Sequence, residues 1–123
     1  MDDVERHFRA GVERFNRGEF FEAHEEMESA MNLLEDDTDD WDFFRGLLRA
    51  AVANHKLSQG ESASAIIHLR AALHLLAPYP DRHRAIRLRE FRSALSAALA
   101  RLHSGAPALR SPRIEFVCAA HPA

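Results

Sequence analysis

The chain has 123 residues, 46% of them hydrophobic, and a formal charge of −3 at pH 7, enough for one domain with a core and too little for two ordinary ones. Its apolar runs are too short to cross a bilayer, "MDDVERHF" is charged where a signal peptide would be apolar, and the one cysteine, Cys118, excludes an internal disulfide or a cysteine-rich zinc site. A cytoplasmic, unexported protein with no membrane partner is expected.

Helical periodicity runs to about residue 103, and five helices account for it. The first spans Asp2 to Asn16, with Val4, Phe8, Val12 and Phe15 on one face, and stops before Arg17-Gly18. The second runs from Glu19 to about Leu34 with a stripe of Phe20, His24, Met27, Met31 and Leu34. "EDDTDD", Glu35 to Asp40, is a polar loop whose last acids suit the start of a helix. The third helix, Asp40 to Ser58, carries Trp41, Phe44, Leu47, Leu48, Ala51, Val52 and His55 on one side, and Gly60 ends it. The fourth, Glu61 to Ala77, is closed by Pro78 and Pro80. The fifth, His83 to His103, buries Ile86, Leu88, Phe91, Leu95, Leu99 and Leu102 and ends at Gly105. Residues 1–103 thus form the helical domain, and 104–123 a proline-containing tail in which only "IEFVC" could be a strand, with no evident partner.

Shifting the chain by 42 residues lays "RGEFFEAHEEMESAMNLL" over "QGESASAIIHLRAALHLL". Gly18 meets Gly60, Glu19 meets Glu61, Ala23 meets Ala65, Met27 meets Leu69 and Ala30 meets Ala72. Helix, glycine turn, helix is the shared unit, with alanines where paired helices approach closely. The predicted fold class is all-α: two stacked antiparallel helical hairpins with tetratricopeptide-like packing, plus a closing fifth helix. His24 stands where the repeat has Ile66.

"FNRGEFFEAHEEME", followed by "FFRGLLRAAVANHKLSQGESASA" and "LRAALHLL", resembles the family known as domain of unknown function 309, over about residues 8–100. The resemblance implies a small all-helical domain without an assigned reaction. It singles out Asn16, Gly18, Glu22, His24, Glu25, Glu28, Gly46, Leu47, His55 and Gly60. Two positions depart from the family pattern: Met31 replaces a usual tryptophan and Arg49 a frequent glutamine.

Charge divides between the halves. Residues 1–60 hold 15 acidic and 7 basic side chains, a balance of −8, and residues 61–123 hold 4 and 9, a balance of +5. Complementary surfaces of this kind favour packing of the halves on each other or on a second copy. The basic stretch "DRHRAIRLREFR" has one aromatic, Phe91, and sits in an acidic protein, so nucleic acid is not an expected partner.

His24 and His55 both fall on apolar stripes, and Glu28 lies one turn beyond His24. Two histidines and a carboxylate are a ligand set for zinc or non-haem iron, with Glu25 as a candidate general base. The helix lacks H-E-x-x-H, however, and the chain lacks E-x-x-H. The alternative is a buried hydrogen-bond network of His24, His55 and Glu28 or Glu25 that locks the hairpins together, with Asn16 and Glu19 capping helix ends. On that reading removal of either histidine destabilises the fold. Glu22 and Glu26 are expected in solvent, as is His7; His68, His74, His83 and His103 have no evident context. The expected function is a non-enzymatic helical domain that binds a partner protein or a second copy of itself, with no cofactor. The rival is a small metal-dependent hydrolase using His24, Glu28 and His55.

Overall fold

Two glycine turns fold the first four helices into two hairpins. The computed structural model describes residues 2–35, 39–106 and 111–117; Cys118 lies outside them. α1 (Asp3–Asn16) and α2 (Phe20–Asn32) meet at Gly18, and α3 (Trp41–Ser58) and α4 (Ser62–Leu76) meet at Gly60. Both glycines have left-handed φ, +80° and +77°, a conformation that costs a residue with a Cβ about 1–2 kcal/mol. The Gly18 N–H donates to Phe15 and the Glu19 N–H to Arg14, at 3.0 and 2.9 Å; Gly60 and Glu61 do the same to Leu57 and Lys56, at 3.0 and 2.9 Å. Each hairpin therefore turns through one Schellman motif. The strapping ion pair repeats as well, Arg14 to Glu19 at 3.0 Å and Lys56 to Glu61 at 3.2 Å. Glu19 makes no side-chain cap of α2, because its carboxylate is turned back to Arg14.

The internal repeat is equally visible in packing. Ala23 and Ala65, Met27 and Leu69, Ala30 and Ala72 are pairwise buried. Helices pack in chain order, α1 on α2, α2 on α3, α3 on α4 and α4 on α5 (Leu88–Ser104). As the central helix α3 is sealed over most of its circumference, with Phe43, Phe44, Leu47, Ala50, Ala51 and Ala53 all buried. A single-stripe reading therefore misassigns two of its residues: Trp41 is 42% exposed and Phe43 is in the core. Buried Asn54 satisfies its amide by donating to the Ala50 carbonyl at 2.9 Å.

Gly46 marks the closest approach of α3 to α4. A methyl group there would lie 2.7 Å from Cγ and Cδ2 of Leu76, and Cγ is too near the backbone to swing aside. Gly46→Ala is expected to lower stability by up to about 2 kcal/mol: overpacking costs about 1–3 kcal/mol against roughly 1 kcal/mol of gained helix propensity. Urea denaturation measures the balance.

The fifth helix begins later than its periodicity suggests. Residues 82–87 form a small antiparallel hairpin, β1 (Arg82–His83) with β2 (Ile86–Arg87). Its two-residue connection, Arg84 and Ala85, has φ of 45° and 62°, positive at both positions as a type I′ turn requires. Neither residue is a glycine or asparagine, so no turn signal stands in the sequence. This hairpin supplies the partner missing for the tail: Phe116 bridges to Ile86, the Arg87 N–H donates to Glu115 at 2.8 Å, and the Val117 N–H donates to Ala85 at 2.6 Å. No helix among the described residues is long and apolar enough to cross a membrane.

Candidate functional site

α2 and α3 leave a groove of about 330 Å³ on the outside of the stack, lined by Phe20, Phe21, His24, Val52, His55, Lys56 and Gln59. Phe21 is 52% exposed and contacts both imidazoles, with ring centroids 5.9 Å from His24 and 6.0 Å from His55. Spacing explains the convergence. Phe21 and His24 are three apart on α2 and Val52, His55 and Lys56 lie within one turn of α3, so each set shares a helix face.

His24 and His55 do come together, but neither is sealed in the core: both are half-buried at the groove. Asn54 alone is a buried polar side chain among the described residues. Glu28 approaches His24 at 3.8 Å with half its side chain in water, too far for a hydrogen bond and worth little as a surface ion pair. The expected buried network is therefore replaced by an aromatic arrangement around Phe21. Among the described residues, no three His, Cys, Asp or Glu side chains are grouped to hold a metal ion. His24, Glu28 and His55 are thus not preassembled as a ligand triad.

The other candidates lie elsewhere. Glu25 is exposed and Glu22 half-buried. Glu22 adds its field to that of Glu19, whose hydrogen bond and charge raise Arg14 above its ordinary pKa. Asn16 does not cap a helix end; it holds the C-terminal strand, donating to the Ile114 carbonyl at 2.8 Å and accepting from the Ile114 N–H at 2.9 Å. Glu26 is not simply solvated, because His7 of α1 meets it at 3.0 Å and both are about 30% exposed.

A second polar cluster joins residues that no local sequence pattern connects. Asp40 receives His83 Nε2 at 2.7 Å and Arg84 Nε at 2.5 Å, and Arg84 reaches Glu5 at 3.2 Å while lying over the Phe44 ring. Asp40 occupies the N-cap position of α3 yet makes no cap bond. The Phe43 N–H donates instead to the Tyr79 hydroxyl at 3.0 Å, and that hydroxyl donates to the Asp39 carbonyl. Burial, reinforced by Asp42, Asp40 and Asp39 against the pull of the Phe43 N–H, pushes Tyr79 up, so it remains a neutral phenol able to do both. This cluster welds the loop after α4 to the start of α3, and every charge in it has a partner. On α4, burial and the neighbouring Arg49 and Lys56 push His68 down; neutral His68 can then accept from Arg49 at 3.0 Å through Nδ1.

Residues 8–68 match the family described as Domain of unknown function (DUF309), a span that holds both glycine turns and every residue of the groove. An uncharacterised protein of Aquifex aeolicus (strain VF5) is 34% identical over 93 residues, which are 76% of this chain and 28% of that protein. The chain accordingly spans little more than a quarter of the relative it matches.

Proposed function

We propose that this DUF309-like chain is a non-enzymatic binding module of the cytoplasm, whose α2–α3 groove receives an apolar side chain of a partner protein. One observation carries the reading. Phe21 is a large aromatic held half in water between two imidazoles, in a fold that buries its other phenylalanines in mutual ring contacts or at the edge of its core. Exposed aromatics set in a concave, rimmed site are the usual anchors of protein interfaces. Val52 offers an apolar floor, and Lys56, Gln59 and the imidazoles offer polar contacts at the rim.

A photo-crosslinking phenylalanine at position 21 tests this in the cells that make the protein. A discrete protein adduct from position 21, absent when the same group replaces the 65% exposed Ile67 of α4, is expected. Equal labelling from both positions would remove the groove as the docking site. The rival reading, a metal-dependent hydrolase, draws on the same two imidazoles and Glu28. Stoichiometric zinc, iron or manganese in protein purified without chelator would favour it over the binding module.

A further inference from the structure

Residues 111–117 dock on the bundle as a bound peptide does. A single side-chain amide, Asn16, holds both main-chain groups of Ile114, at 2.8 and 2.9 Å. Backbone bonds to Arg87 and Ala85 continue the contact along the edge of the β1–β2 hairpin. Alternate side chains enter the body of the protein: Ile114 is 1% exposed, and Phe116 meets the edge of Phe8 at 6.0 Å beneath the Arg9 guanidinium. Main-chain pairing for affinity with alternate side chains for fit is the logic of strand addition to a sheet edge. None of these contacts depends on the strand arriving from the same chain.

We propose that this groove is a strand-acceptor site for a second copy of the chain, with residues 111–117 as the exchanged strand. The segment is its own proof of fit, because the sockets are filled by Ile114 and Phe116. The groove is also incompletely sealed: open cavities of about 590 and 440 Å³ flank the clamp, both bordered by Asn16, Arg17 and Arg113. Water reaches the strand from both sides, so its local release costs far less than unfolding the bundle. A tethered strand competes at an effective concentration of about millimolar, so wild-type chains are monomeric at micromolar concentration and exchange as millimolar is approached.

Complementation in the full chain removes that competition. Asn16→Ala spoils the acceptor and Ile114→Asp spoils the strand, so each variant alone lacks a good internal contact while a mixture can form one intact interface. Light scattering is expected to show each variant at the 13.9 kDa chain mass and the mixture at twice that mass. Should Ile114→Asp fail to fold, an equal mixture of isotope-labelled and unlabelled wild-type chains at about millimolar concentration gives the same answer. Intermolecular Overhauser contacts between the Asn16 amide and Ile114 support exchange; purely intramolecular contacts overturn it. A mixture that stays at the single-chain mass also overturns it, as does an acceptor that takes the free 111–117 peptide but never another chain.

Discussion

Phe8→Ala is expected to destabilise the protein by about 3–5 kcal/mol, the range for truncating a buried aromatic. Phe8 is fully buried and sits where three parts of the chain converge. Its ring lies 5.9 Å from Phe43, 5.7 Å from Phe44 and 6.0 Å from Phe116. The cavity left behind cannot collapse easily, because Phe43 is also held against Tyr79 and His83, with centroids at 5.5 and 4.7 Å. Edge-to-face contacts add about 0.5–1.5 kcal/mol each to the area term. A domain of this size is stable by about 5–15 kcal/mol in all, so the variant should unfold at markedly lower urea. It should also release the strand, seen as increased hydrogen exchange at the Val117 amide.

Asp40→Ala is the second large loss expected, about 2–3 kcal/mol. Breaking a fully buried charge pair costs about 3–5 kcal/mol; the three side chains here are 17–25% exposed, and water softens the penalty. His83 and Arg84 lose their shared acceptor, and the positive-φ Arg84 loses the anchor that holds its turn. pH provides a more specific signature. Burial by itself would raise the Asp40 carboxyl, but hydrogen bonds from His83 and Arg84 and the Arg84 charge outweigh it and hold the group below its ordinary 3.8. A carboxyl depressed on folding stabilises fully above its unfolded pKa, and that stabilisation is lost as pH falls through the folded value. The gap in urea stability between wild type and Asp40→Asn should therefore be widest at neutral pH and close below about pH 4.

What could be foreseen from the sequence follows the range of the interactions involved. The helices, the glycine turns and the 42-residue repeat are local or quasi-local patterns, and the equivalent Schellman turns at Gly18 and Gly60 bear the repeat out in backbone geometry. The hairpin at residues 82–87 was hidden because its turn uses Arg84 and Ala85, and its positive φ is sustained by tertiary contacts from Asp40, Glu5 and Phe44. Asp40 was legible as an acid at a helix start. Its partner His83 lies 43 residues away, and no periodicity connects them. Asn16 is expected to cap a helix end and instead pairs with Ile114, 98 residues distant, beyond the reach of any local pattern.

His24 and His55 show a different limit. A stripe position tells which way a side chain points, and both imidazoles do point toward the neighbouring helix. It does not tell whether that neighbour closes over them. Phe21 belongs to no stripe, and its contact with both rings depends on how α2 crosses α3.

A double-mutant cycle of His24→Ala and His55→Ala, read by urea denaturation, tests most directly whether these histidines serve the groove or hold the fold. Half-buried rings without a hydrogen-bonded buried partner predict losses within about 1 kcal/mol for each and additivity within about 0.5 kcal/mol. Losses of about 3 kcal/mol or more with strong coupling would contradict the account and make the pair a structural lock between the hairpins.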